Sequence, residues 1–221
     1  MAHEHDHDGE HGHDHAHEPS DPEAARLALR AEALEALLVE RGIVRRESID
    51  AIVARYENEI GPLNGAKLVA RAWSDPEFKR RLLTDARAAI AELSLPMGET
   101  ATPIVVVENS PGVHNVVVCT LCSCYPSSLL GLPPRWYKSP PYRARVVREP
   151  RAVLREFGLE LPESTDVRVW DSSAELRYMV LPERPPGSER ASEAELVELV
   201  SRDSLIGVAL AGPPAEAPRE R

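Results

Sequence analysis

A chain of 221 residues with 43% hydrophobic content is long enough to bury one core of ordinary size with a smaller unit attached. It holds no apolar run of membrane-spanning length, and its N-terminus is acidic and His-rich where a secretory leader is basic and then apolar, so no membrane partner and a reduced, cytoplasmic chain are expected. The net charge of -10 gives no case for nucleic acid: residues 1–23 alone carry eight acidic residues and no Lys or Arg, so the charge is concentrated in a tail.

Residues 1–20 place His at 3, 5, 7, 11, 13, 15 and 17 between Asp, Glu and Gly. With almost nothing apolar to bury, this tail is expected to be disordered. Imidazoles at this density bind cobalt, nickel, copper or zinc. The tail therefore reads either as a solubilising segment with incidental metal affinity or as a local store that delivers metal elsewhere in the chain.

Residues 21–98 read as a helical arm. Leu27, Ala31, Leu34 and Leu38 recur at helical spacing, and Gly42 supplies a stop. A second helix is predicted over 47–60, ended by Gly61-Pro62, and a third, short one over 65–73. Ser74-Asp-Pro-Glu77 reads as a capping box opening a fourth helix, with Phe78, Leu82, Ile90 and Leu93 inward. Four narrow apolar stripes strung out before the main domain are expected to bury little among themselves and to suit a partner chain.

Leu95-Pro-Met-Gly98 marks the boundary to a domain over 99–211. Pro103 to Glu108 and His114 to Val118 read as strands separated by the turn cluster Asn109-Ser-Pro-Gly112. A helix is predicted over 150–157, closing on Gly158, with strands over 167–170 and 177–181. Ser192, with Glu195 three residues on, caps a helix to Val200, and Leu205 to Leu210 reads as a last strand. Residues 212–221 form a polar, Pro-rich tail. The fold class expected is α+β: an extended helical arm followed by an irregular layered α/β metal-binding domain.

The second strand runs directly into Cys119-Thr-Leu-Cys-Ser-Cys124, which holds all three cysteines of the chain. A disulfide framework would be even in number and spread along the chain. Zinc ribbons and cubane clusters want four cysteine or histidine ligands, and no second cluster is present. If a metal binds here, the three sulfurs need a donor other than cysteine.

The loop, with Leu130-Gly-Leu-Pro-Pro134, Trp136-Tyr-Lys138, Tyr142-Arg-Ala-Arg145, Trp170-Asp-Ser-Ser173, Arg177-Tyr-Met-Val-Leu-Pro182 and Asp203-Ser-Leu-Ile-Gly-Val208, resembles the α subunit of cobalt-type nitrile hydratase. Tyr56-Glu-Asn-Glu59 and Ala72-Trp-Ser-Asp-Pro-Glu-Phe-Lys79 resemble that family's helical arm. The resemblance implies a low-spin Co(III) ion, with iron less favoured because Thr120 stands where iron-type chains usually have Ser. It implies that Cys119, Cys122 and Cys124 supply sulfur, that the amides of Ser123 and Cys124 supply nitrogen, and that the sixth position takes substrate or water. It also implies Cys122 as sulfinate and Cys124 as sulfenate, and catalytic parts for Cys122, Ser123 and Cys124 in adding water to a nitrile to give an amide.

The same resemblance implies a β subunit as partner, in an αβ heterodimer or heterotetramer, and an accessory protein that loads cobalt. Two arginines of that β subunit face the oxidised sulfurs in the family. Glu175 and Arg177 fall in the segment surrounding the loop and read either as holding it or as an ordinary ion pair on a strand. Tyr125 reads as pocket wall or packing. Ser127 stands where nitrile hydratases commonly have the Trp of a Trp-Pro pair, which predicts a roomier substrate pocket. His114 reads as a strand-edge polar residue rather than a ligand. Two other functions stand beside this one: the γ subunit of thiocyanate hydrolase, which carries the same loop, and a non-catalytic metal-binding or sensing subunit.

Overall fold

The computed structural model describes residues 22–55, 62–95, 102–122 and 124–213. The His-rich tail, the Tyr56-Glu-Asn-Glu59 motif, most of the 95–98 boundary and Ser123 lie outside them.

Two helices, α1 (Pro22–Glu40) and α2 (Arg46–Arg55), lead the chain. Leu27, Leu29, Leu34 and Leu37 of the first and Ile52 and Val53 of the second remain exposed, as expected of narrow stripes that bury little among themselves. The next three helices behave otherwise. Helices α3 (Pro62–Ser74), α4 (Pro76–Thr84) and α5 (Ala86–Glu92) bury Leu68, Val69, Ala72, Phe78, Leu82, Ala89 and Ile90 in the main core. The expectation that all four arm helices bury little is corrected for these. Periodicity reveals an apolar face, and tertiary packing decides what covers it.

Local caps also differ from expectation. Asp75 rather than Ser74 is the N-cap of α4, accepting from Glu77 N and Phe78 N at 2.9 and 3.0 Å. The Ser74 hydroxyl instead turns back to Ala70 O. The single long helix expected from Pro76 breaks at Asp85, whose carboxylate caps α5 through Ala88 N.

Strands β1 (Ile104–Glu108) and β2 (Val113–Val118) are followed by α6 (Ser127–Leu130), α7 (Arg135–Lys138), α8 (Pro140–Arg145) and α9 (Pro150–Glu156). Then come β3 (Asp166–Asp171), β4 (Arg177–Leu181), α10 (Glu193–Val197) and α11 (Arg202–Ile206). The first two strands do not form a hairpin: β1 lies parallel to β4 and β2 parallel to β3. β2 is buried from His114 to Val118 and β1 at Ile104, Val106 and Val107, with Val105 exposed, so burial on both faces accounts for the apolar run of VHNVVV and in part for that of IVVVE. The register sets Val118 beside Asp171, so β2 releases its chain next to the end of β3.

The strand expected at Leu205 to Leu210 is instead the end of α11 and the turn after it. Ser201 and Ser204 cap that helix reciprocally, and Gly207 closes it at φ 91°. A Cβ at Gly207 would lie 2.0 Å from Asn115 O, so both conformation and space demand glycine. That approach serves a buried network. His114 Nε2 donates to Gly207 O at 2.7 Å, and its Nδ1 accepts from Asn109 Nδ2 at 3.2 Å. Asn109 Oδ1 in turn accepts from Asn115, whose own side-chain oxygen receives Trp170 Nε1. His114 is therefore interior rather than at a strand edge, and it ties β2 to the C-terminal helix.

Burial holds the His114 imidazole below its ordinary protonation range, against weaker opposing pulls from Gly207 O and Glu183. The unfolded chain thus binds this proton more readily than the folded one. Stability from this group is complete above the ordinary imidazole value of about 6.5 and declines as pH falls below it. We expect the urea midpoint to drop between pH 7.5 and 5.5, and His114→Gln, though less stable at pH 7.5, to show a shallower drop; equal slopes would remove His114 as the cause.

Candidate metal centre

The cysteine loop starts where β2 stops. Val118 is paired in the sheet, Cys119 is fully buried beneath it, and the chain then rises to the surface at Leu121, 86% exposed, and Cys122. It descends again at Cys124, which is buried. The three thiols are free of disulfides and converge, with all sulfurs within 4.8 Å of one another. Cys119 Sγ lies 3.4 Å from Cys122 Sγ, which lies 3.0 Å from Cys124 Sγ.

Such crowding opposes ionisation. Burial first, and then the neighbouring Cys122 and Cys119, push the Cys124 thiol up to about 12, with Arg177 pulling weakly the other way. Three thiolates can share this volume only around a cation, and soft sulfur donors select transition metals. Cys122 N donates to Cys119 Sγ at 3.3 Å, and Cys124 sits at the buried end of the loop.

Side chains from three other elements hold the loop by its main chain. Asp171, at the end of β3, accepts from Thr120 N at 2.9 Å and from Thr120 Oγ1 at 2.6 Å. This clamp follows from the parallel register that sets Asp171 beside Val118. Tyr137 of α7, fully buried, donates its hydroxyl to Cys124 O at 3.0 Å. Tyr142 of α8 donates to Val117 O at 2.8 Å, and Arg143 donates from Nη1 to Cys122 O at 2.9 Å. Burial raises both tyrosine hydroxyls above their ordinary range, so they act as neutral donors. Trp136, Tyr137, Tyr142 and Phe157 stack edge to face behind the loop, with centroids 4.6 to 6.2 Å apart.

The other residues singled out from sequence take varied places. Arg177 opens β4, half-buried, with Nη1 buried and without a hydrogen-bond partner among the described residues. Glu175 is exposed and accepts from Ser173 Oγ at 3.1 Å; it is not ion-paired with Arg177 among the described residues. Tyr125 is buried edge-on against Tyr137, centroids 5.0 Å apart, and its hydroxyl donates to Leu130 O, which is a packing position. Ser127 is half-buried at the start of α6, its N–H on Tyr125 O. Asp171, Tyr137 and Arg143 stand within motifs that carry the resemblance, but the sequence reading gave them no role, because nothing in linear spacing links them to the cysteines.

A partly buried cluster of three thiols, presented at the end of a parallel strand pair and gripped through its main chain, fits a metal-binding claw. This chain belongs to the nitrile hydratase α-chain family. The family described as "Nitrile hydratase, alpha chain" matches residues 25–209. The chain is 56% identical over 191 residues to the low-molecular weight cobalt-containing nitrile hydratase subunit alpha of Rhodococcus rhodochrous, covering 86% of this chain and 92% of that one. It is 43% identical over 206 residues to the thiocyanate hydrolase subunit gamma of Thiobacillus thioparus, covering 89% and 82%. A double mutant of the Fe-type nitrile hydratase from Comamonas testosteroni Ni1 superposes with a TM-score of 0.76 at 46% identity, covering 89% and 96%. Among the described residues no helix is long and apolar enough to cross a membrane.

A hydrogen bond to a charged acceptor contributes about 1.5–3 kcal/mol, and tenfold in an opening equilibrium corresponds to about 1.4 kcal/mol. Asp171→Asn should therefore speed hydrogen exchange of the Thr120 amide by roughly tenfold or more while sparing amides of β1. Unchanged exchange at Thr120 would show that the clamp does not hold the loop.

Proposed function

We propose that this chain is the metal-bearing α subunit of a cobalt nitrile hydratase, adding water to a nitrile to give an amide. The observation that carries the reading is the convergence of the Cys119, Cys122 and Cys124 sulfurs within 4.8 Å in a chain 56% identical to a cobalt-containing relative. Cys119, Cys122 and Cys124 would hold the ion through sulfur, and Ser123 and Cys124 through backbone nitrogen. When bound, the ion supplies Lewis acidity toward the nitrile nitrogen. In the net reaction one C–O bond forms and both protons of water finish on nitrogen.

Cys122 is inferred to be a sulfinate and Cys124 a sulfenate, with Cys119 left as thiolate. Their exposure supports this order: Cys122 is exposed, Cys124 is 8% exposed and Cys119 is wholly covered. A sulfenate oxygen on Cys124 would accept a proton as water adds or attack the nitrile carbon itself. Arg177 would place its positive charge beside Cys124, while Glu175 would hold the 173–175 turn.

The exposed Leu121 beside the sulfurs and the exposed leucines of α1 support a β subunit that covers both, in an αβ unit or its dimer, within the cytoplasm. A cobalt-loading accessory protein belongs to the same reading. Thiocyanate as substrate has the weaker support, since the thiocyanate hydrolase relative is 43% identical against 56%.

Three measurements test the proposal. The chain produced with its β subunit and ample cobalt should hold about one cobalt, carry two extra oxygens on Cys122 and one on Cys124 by mass spectrometry, and hydrate nitriles. Single replacement of Cys119, Cys122 or Cys124 by Ala should abolish tight cobalt retention, because each removes a ligand. Iron or zinc in place of cobalt, or a fully loaded Cys122→Ala, would contradict it.

The substrate class follows from Ser127. An indole can bury ~150–250 Å², and its absence leaves room for bulky or aromatic nitriles. Ser127→Trp should shift the kcat/KM ratio toward acrylonitrile and away from an aryl nitrile, each pocket-sized increment being worth about 1–3 kcal/mol. An unchanged ratio would assign the pocket's shape to the β subunit.

A further inference from the structure

Arg143 is held differently from Arg145, the next arginine of α8. Arg145, on the same helix, is held by Glu149 and Glu156 at 2.7 and 2.6 Å. Among the described residues no carboxylate pairs with Arg143; its Nη1 donates to Cys122 O at 2.9 Å, and its Nε is buried with no hydrogen-bond partner. Leaving a guanidinium donor buried and unpaired is costly, and Arg143 is fixed on a backbone oxygen.

That oxygen is chemically distinct from the others gripped around the loop. The carbonyl of Cys122 and the nitrogen of Ser123 form one planar peptide unit, across which the C–N bond is conjugated with the C=O. In the ligand set proposed above, the Ser123 nitrogen binds the metal. An amide nitrogen binds a trivalent ion as an anion, and conjugation carries much of the charge to its carbonyl oxygen. A cation hydrogen-bonded to that oxygen offsets the charge and fixes the plane. The neighbouring grip gives the contrast. The Cys124 carbonyl belongs to a peptide whose nitrogen is that of Tyr125, outside the ligand set, and its donor is the neutral hydroxyl of Tyr137. The charged donor falls on the ligand peptide and the uncharged one on the peptide that is not a ligand.

We propose that Arg143 is a positioning residue of the metal centre, holding the 122–123 peptide and offsetting the charge it carries when its nitrogen is a ligand. The inference rests on the proposed ligand set. It makes the outer arginine of α8, rather than a sulfur, the residue on which metal retention depends next.

The test uses the full chain produced with its β subunit and loaded with cobalt. Wild type is compared with Arg143→Met, Arg143→Lys and, as a control on the same helix, Arg145→Met. Release of cobalt into excess chelator is followed by elemental analysis and by decay of the cobalt–sulfur absorption. Arg143→Met should release cobalt about 10–100-fold faster, the usual effect of losing a group that orients a ligand. Arg143→Lys, which keeps the charge without the planar fork, should fall between it and wild type, and Arg145→Met should match wild type. Where Arg143→Met does not assemble, Arg143→Gln, an uncharged donor, takes its place with the same expectation.

Release at the wild-type rate from the neutral variant overturns the inference. So does equal acceleration in Arg145→Met, which marks general loosening of α8, or a Lys variant as fast as the Met variant, which leaves no part for charge. A wild-type chain that holds no cobalt overturns the parent reading and this inference with it, and is distinguished by failing before any variant is compared.

Discussion

Three sulfurs packed within 4.8 Å in a partly buried loop form the constraint on which the rest of the site depends. Without a cation, burial first and then the neighbouring sulfurs oppose ionisation of the Cys124 thiol. With one, each sulfur could serve as a ligand, provided the loop keeps its geometry. The surrounding chain answers by gripping the backbone. Asp171, Tyr137 and Arg143 contact main-chain atoms of residues 120, 124 and 122, leaving the sulfurs unobstructed. Oriented ligands of this kind raise metal affinity and narrow the choice of ion.

The grip is built from distant parts of the chain, which explains the topology around it. β2 must end beside β3, because only then does Asp171 lie next to the residue after Cys119. Parallel pairing requires a crossover, and the segment between the two strands supplies α6 to α9. That crossover is itself the aromatic wall behind the loop, with Tyr137 and Tyr142 facing the backbone they hold. His114 and Gly207 fasten the opposite end of β2 to the C-terminal helix, so the strand that presents the loop is anchored at its base. Rigid elements around a reactive loop are what precise ligand placement needs.

Part of this is legible in sequence for identifiable reasons. The valine runs of β1 and β2 announce buried strands, and Ser192 with Glu195 announces a capped helix, because those signals are local. Leu205 to Leu210 misleads, since a β-like apolar run is overruled by the Ser201 cap and the left-handed Gly207. The arm misleads in part. The stripes of α1 and α3 look alike in sequence, yet the first stays exposed and the second is buried in the core. At the site, the cysteines are evident from their spacing, whereas Asp171 lies 51 residues from Thr120 and no linear pattern joins them.

Exposure across the cluster divides the site between two faces. Cys119 and Cys124 turn inward toward the crossover helices, and Cys122 and Leu121 turn outward. Asp171, Tyr137 and Arg143 hold the loop chiefly by its backbone, while the Leu121 side chain at its tip stays exposed. An exposed leucine at 86% beside an exposed cysteine is an unfavourable surface for a chain standing alone and a natural seat for a second one. The exposed leucines of α1 and the tip of the cysteine loop thus pose the same physical demand at two places. A single partner spanning both would bury the arm and close the reaction site in one act of assembly.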